Sequence, residues 1–169
     1  DIIRAYRIPI LEVAGYEADD VIGTLATEAG RQGITTYMMT PDKDYGQLVS
    51  DNVFMYRPKY GDKEFEVMGI EQIKAKFDIQ SPAQVIDMLG LMGDSSDNIP
   101  GCPGVGEKTA QKLVSEFGSI ENLLEHTDQL KGALKTKVET NRKMIEFSKF
   151  LATIKIDVPI TLNMDELKR

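Results

Sequence analysis

Seven carboxylates fall into three tight groups: Glu17-Ala18-Asp19-Asp20, Asp42-Lys43-Asp44 and Asp94-Ser95-Ser96-Asp97. Each group has an ordinary reading. The first could cap a helix, because carboxylates favour a helix N-terminus. The second could be a solvated turn and the third an Asx-rich loop. Capping needs one acid, however, and three within four positions repel one another. Asp94 and Asp97 lie three apart, so one helical turn or tight loop can face both the same way. If the three groups converge, like charges in one pocket disfavour ionisation unless cations sit among them. Two divalent ions roughly 4 Å apart would resolve the repulsion and could support phosphodiester hydrolysis. Magnesium keeps several waters, so some of the seven would act through water.

A second pattern is the run from Ile99 to Lys112, Ile-Pro-Gly-Cys-Pro-Gly-Val-Gly-Glu-Lys-Thr-Ala-Gln-Lys. Gly104-Val105-Gly106 precedes a helix whose apolar positions are Ala110, Leu113, Val114 and Phe117. Glycines there let backbone N–H groups approach an anion, and the helix dipole adds attraction for phosphate. Lys108 and Lys112 add charge. The alternative is a plain tight turn between helices. A nucleotide P-loop fails on spacing, since Glu107 separates Gly106 from Lys108 and no strand precedes the loop.

The elements that must position these residues change along the chain. Ile8 to Val13 is short and β-prone. Ala18 to Gln32 carries a helical stripe of Val21, Ile22, Leu25, Ala26 and Ala29, ended by Gly30 and Gly33. Ile34 to Thr40 reads as a strand, completing a strand–helix–strand pattern of a parallel sheet. The second acid group follows this strand, where ligands bind in such sheets. Asp44 to Val49 reads as a short helix. Val53–Tyr56 and Glu64–Val67 flank a Gly61-Asp62 turn and suggest a loose hairpin. Helices then dominate: Gly69–Phe77, Pro82–Leu91, Glu107–Phe117, Ile120–Glu125 and Lys135–Leu151. A soft boundary near residue 80 separates an α/β part, 1–80, from an all-α part, 81–169.

Composition narrows the chemistry. The chain has 169 residues, 41% of them apolar, with one cysteine and one histidine. A zinc cluster and an internal disulfide are therefore not expected, and a metal site must be built from oxygen, favouring magnesium or manganese. Cys102 and His126 are read as bystanders, and Met88 and Met92 as core. Lys131, Lys135, Lys137, Arg142 and Lys143 fit a solvated helix face as well as a DNA backbone. No apolar run is long enough to span a membrane, so no membrane partner is expected. The net charge of −7 weighs against nucleic acid, but two bound divalent ions would cancel more than half of it.

Taken in order and spacing, these motifs resemble the 5′ nuclease domains of bacterial DNA polymerase I, relatives of the flap endonucleases. Gly15-Tyr16, the three acid groups, Pro103 to Ala110 and Leu151-Ala152-Thr153-Ile154 carry the resemblance, from about Ile8 to about Leu162. It implies a partial parallel-sheet, PIN-like nuclease core followed by an all-α helix-hairpin-helix subdomain. It implies that Glu17, Asp19, Asp20, Asp42, Asp44, Asp94 and Asp97 bind two divalent cations, with Asp19, Asp20, Asp94 and Asp97 at the centre of catalysis. It implies that residues 99–117 grip duplex DNA, through Gly101, Gly104, Val105, Gly106, Lys108, Thr109 and Lys112, and hold a monovalent cation such as potassium. The expected substrates are 5′ flaps, nicks and RNA primers on duplex DNA, in the bacterial cytoplasm at the nucleoid, with a polymerase domain in the same parent chain. The family core begins earlier, with a strand bearing an essential aspartate, a second acid and a basic helical arch. None of these precedes Asp1, so the chain is expected to be a piece of a longer nuclease. Pro41 and Tyr45-Gly46 differ from the commonest family wording.

Three functions follow as expectations. The first is a two-metal, structure-specific 5′ nuclease. The second is a module that binds branched or duplex DNA without cutting it. The third, a receiver-like phosphotransfer domain, shares the clustered aspartates but leaves the glycine hairpin unexplained.

Overall fold

Helix α2, Ala18–Arg31, shows how this chain builds close contacts from small residues. It follows a short first helix, α1, Ile2–Ala5. Its buried face is Val21, Gly23, Thr24, Ala26 and Ala29. A Cβ placed on Gly30 would lie 2.7 Å from Val53 Cγ2, and one on Gly23 2.6 Å from Ile154 Cγ2. Neither neighbour could come so near a larger residue. The computed structural model describes residues 2–58 and 64–168.

The sheet has three strands in the order β1, Thr36–Met39, β2, Val53–Pro58, and β3, Phe65–Met68. β1 and β2 are parallel, with Thr36 opposite Val53. β2 and β3 are antiparallel, with Met55 opposite Met68. The sheet is therefore mixed: the expected hairpin supplies the antiparallel pair, whereas the parallel partner of Thr36–Met39 is Val53–Pro58 and not the expected Ile8–Val13. The Gly61-Asp62 turn itself lies outside the described residues.

Two expectations are corrected. Ile8 to Val13 does not form a strand. Ile8, Ile10 and Leu11 are 45%, 53% and 45% exposed, so the segment's apolar side chains find no layer to pack on. The single helix expected over Lys135–Leu151 is two, α7, Gly132–Thr140, and α8, Arg142–Ala152. The break falls at Asn141, where the backbone leaves helical values (φ −103°, ψ 16°) and the side-chain amide joins the backbone N–H in donating to Lys137 O, at 2.8 and 3.1 Å.

The remaining helices are α3, Ile70–Phe77, α4, Val85–Met92, α5, Glu107–Phe117, α6, Ile120–Glu125, and α9, Met164–Leu167. A 3-10 turn, Pro82–Gln84, leads into α4. α4 is apolar almost all round, and Val85, Met88 and Leu89 are fully buried, as a helix inside a bundle must be. One apolar cluster runs from Val53 and Met55 of the sheet through Ile73 and Phe77 to Met88, Leu113, Leu123 and Ile145. The sheet half and the helical half thus share a core across residue 80. Asp87, buried on α4, accepts from Ile120 N at 2.9 Å and from Lys149 Nζ at 2.6 Å. Lys149 also reaches Glu121 at 2.8 Å, so one polar network joins α4, α6 and α8. Among the described residues, no helix is long and apolar enough to cross a membrane.

Candidate metal centre and hairpin

The three acid groups converge. Glu17, Asp19, Asp20, Asp42, Asp44 and Asp97 line one cleft of about 320 Å³, together with Ile99 and Leu151 to Ile154. Asp94 adjoins two of them: carboxylate oxygens of Asp44, Asp94 and Asp97 fall within 4.8 Å of one another.

Each group arrives by a different local device. Glu17 is the N-cap residue of α2, but its side chain makes no capping bond. Asp19 instead accepts a 2.6 Å hydrogen bond from the Tyr45 hydroxyl, and Asp20 accepts from Lys155 N at 2.9 Å. Helix capping therefore does not account for the first group. Asp42 caps the 3-10 turn Lys43–Leu48 by accepting from Asp44 N at 3.0 Å, which turns Asp44 inward. Asp44 is 8% exposed, so this is not a solvated turn. Asp94 accepts from Ser96 N at 2.8 Å, an Asx turn as expected, yet it too is only 8% exposed. Its backbone exchanges two 2.8 Å hydrogen bonds with Ile99, closing the loop that carries Asp97 at its exposed tip.

Electrostatics mark this cluster as unfinished without cations. Burial pushes the Asp44 carboxyl up to about 6, and Asp42 and Asp97 push it the same way against the pull of Lys43. Asp44 Oδ1 is buried with no hydrogen-bond partner, and its nearest cation, Lys43 Nζ, stands 3.4 Å away. An orphaned carboxylate oxygen among neighbouring carboxylates fits a hard cation with oxygen ligands. Lys43 also forms an ion pair with Asp94. Burial raises the Asp94 carboxyl, but Lys43 and Ser96 outweigh it and hold Asp94 below the usual carboxylate range. Burial beside Asp19 likewise drives the Tyr45 phenol upward, so Tyr45 stays a donor.

Three participants carried no signal in the spacing of acids: Lys43, Tyr45 and Gln47. Gln47 Nε2 donates to Asp44 O and Ala152 O, both at 2.9 Å, and its Oε1 accepts from Ile154 N at 2.9 Å. Thr24 Oγ1 accepts from Val158 N at 3.1 Å. These bonds strap residues 152–158 across α2 and the 3-10 turn, making the fourth wall of the cleft. The Leu151–Ile154 motif marked that wall; Gln47 had only its place after Asp44 to suggest it.

The glycine hairpin leaves the same loop. Gly93 (φ 74°) ends α4, and Gly101 (φ 65°) packs so tightly on it that a Cβ would lie 2.4 Å from Gly93 N. Gly101 N donates to Ser148 Oγ at 2.9 Å, and Cys102 N to Leu91 O at 2.8 Å. Gly101 and Val105 are buried, so of the seven residues expected to touch DNA these two face inward and shape the hairpin. Gly104, Gly106, Lys108 and Lys112 are exposed and Thr109 half-exposed at the mouth of α5. Gly106, its N-cap residue, has no side chain to cover the first N–H groups. Lys137 of α7 reaches in and donates to Gly104 O at 3.3 Å.

Residues 1–78 match the family model described as 5′-3′ exonuclease, N-terminal resolvase-like domain, and residues 80–169 that described as 5′-3′ exonuclease, C-terminal SAM fold. DNA polymerase I of Bacillus caldotenax is 44% identical over 168 residues, covering 99% of this chain and 19% of that protein. The chain thus spans about a fifth of that relative's length. Bacteriophage T5 5′-exonuclease with bound zinc ions shares the fold, with a TM-score of 0.78 and 19% identity over 89% of this chain and 55% of that one. The T5 flap endonuclease in complex with DNA and metal ions aligns with a TM-score of 0.75 and 20% identity, over 89% and 54%. With both halves matched in order across the whole sequence, the chain belongs to the 5′-3′ exonuclease family.

Proposed function

We propose that this chain is the metal-binding and DNA-gripping part of a two-metal 5′ nuclease attached to a bacterial DNA polymerase. One observation carries the reading: buried Asp44 and Asp94 bring carboxylate oxygens within 4.8 Å of Asp97, and Asp44 and Asp97 share one cleft with Glu17, Asp19, Asp20 and Asp42. Asp44, Asp94 and Asp97 would hold one divalent ion directly, and Glu17, Asp19, Asp20 and Asp42 a second or the waters of both. Magnesium or manganese fits an all-oxygen donor set. Bound there, such ions supply Lewis acidity and a water acidic enough to attack a phosphodiester. Tyr45 fixes the Asp19 carboxylate, and Asp42 holds the turn that presents Asp44. Gly104, Gly106, Lys108, Thr109 and Lys112 hold the phosphate backbone, a contact that positions the strand without reading its sequence. A potassium ion at this hairpin belongs to the same reading. The substrates are 5′ flaps, nicks and RNA primers on duplex DNA, met at the nucleoid.

Cleavage of a labelled 5′-flap duplex by this chain, with manganese or with chelator, tests the reading. Release of the flap that stops on chelation supports it. A second reading has its own observation: Lys43 already offsets Asp44 and Asp94, so the pocket is part-neutralised by the chain itself. On that reading the folded chain binds branched DNA, weakly and with strong salt dependence, and does not cut it. Folded protein that shows no cleavage yet binds the flap duplex would favour this alternative for the chain by itself.

A further inference from the structure

Lys43 stands where a cation is most needed. Its ammonium pairs with Asp94 and lies 3.4 Å from Asp44 Oδ1, the buried oxygen that has no hydrogen bond. Those two acids, with Asp97, are the three whose oxygens cluster within 4.8 Å. The lysine side chain is only one-third exposed, and it comes from the middle of the acid motif it serves. A divalent ion drawing one oxygen from each of these acids competes with that ammonium for the same lone pairs.

We propose that Lys43 is a tethered counter-ion: it holds the acid cluster together before metal binds, and it is displaced when metal enters. This rests on the metal reading of the cleft. It assigns to Lys43 a tuning function, setting metal affinity lower than seven clustered acids would otherwise give. Two carboxylates this near each other destabilise the folded chain when no cation separates them. A lysine supplies that cation while no metal is bound, and its flexible stem lets the head leave toward solvent. The cost is competition, because the ion held by Asp44, Asp94 and Asp97 must break the Lys43–Asp94 pair.

The test is Mn²⁺ binding to the 169-residue chain, by isothermal titration at pH 7.5, in wild type, Lys43→Met, Lys43→Gln and Lys43→Arg. Methionine keeps the stem, and glutamine keeps a donor toward Asp94 without charge. The expected result is binding roughly tenfold or more tighter in Lys43→Met and Lys43→Gln, since a unit charge a few ångströms from the ion is removed. Lys43→Arg should stay within about threefold of wild type, because the charge is retained. Metal-free Lys43→Met should melt below wild type, and saturating Mn²⁺ should raise its melting temperature by more. Wild-type binding with no tightening in either neutral variant overturns the counter-ion proposal and leaves the metal reading intact. No Mn²⁺ binding by wild type or by any variant overturns both.

Discussion

The acid cleft and the glycine hairpin leave the same loop and are built on opposite principles. In the hairpin, the Gly101 and Cys102 N–H groups are paired with Ser148 and Leu91, Lys137 covers Gly104 O, and glycines allow contacts of atomic closeness. Its shape is complete as the chain alone. In the cleft, a buried oxygen lacks a partner, one carboxyl is pushed up to about 6, and a lysine stands among acids. Its charge balance calls for something from outside. A binding surface can be finished in advance, whereas a metal site must keep unsatisfied groups in store.

The sharpest way to break this contrast is to remove the store of charge. Asp94→Asn with Asp97→Asn should lower metal-dependent flap cleavage by more than about 100-fold, since even outer-sphere partners of metal ligands carry effects near that size. Steady-state cleavage assays check it, and unchanged rates would sink the metal assignment. The fold behind both regions depends on Asp87, whose side chain is 6% exposed. Asp87→Ala strands the Ile120 N–H and leaves the Lys149 ammonium with Glu121 alone, and should cost about 1–3 kcal/mol in urea denaturation. A loss below 1 kcal/mol would show that water replaces the pair.

The hairpin should respond to shape where the cleft responds to charge. Gly101→Ala forces a left-handed backbone, costing about 1–2 kcal/mol before the clash with Gly93 is added. It should weaken flap-duplex binding in a gel-shift assay and leave Mn²⁺ affinity nearer wild type. Equal damage to both would mean that the two regions are one cooperative unit.

Acidity separates them again. The folded chain keeps the Asp44 proton up to about pH 6, whereas the unfolded chain releases it near the ordinary value of 3.8. Between those values the folded form binds more protons, so the Asp44 contribution to stability falls as pH rises from about 4 to 6. Divalent ions should cancel that loss, and their affinity should rise over the same window as the ligand deprotonates. Thermal melts from pH 4.5 to 7.5, with and without magnesium, read both trends. The smallest effect expected is Lys108→Ala, which should lower the slope of log affinity against log salt for flap binding by about 1.

The sequence made local features plain and long-range ones obscure. The bounds of α5 and α6 could be read directly, because Gly106, Ser119 and the apolar spacing mark them. The seven acids were legible because their crowding is unfavourable in itself. The actions of Lys43, Tyr45 and Gln47 were not, since each depends on contacts with residues up to 107 positions away. Ile8–Val13 had strand-like residues, but strand formation needs a paired neighbour, which local composition cannot supply. The break at Asn141 was hidden because its amide acts within a pattern that otherwise stays helical.

The Asp87–Lys149 pair has a wider meaning. α4 runs straight into Gly93 and Asp94, and α8 straight into Thr153 and Ile154, so one helix ends at the acid cluster and the other at a wall of the cleft. Pinned to each other within the core, they act as the two legs of a fixed calliper. The glycine hairpin springs from one leg, and its serine anchor, Ser148, sits on the other. On the proposed function, the interval along DNA between the point of grip and the point of cutting is then a property of rigid geometry, and a hinge between two domains has no part in setting it.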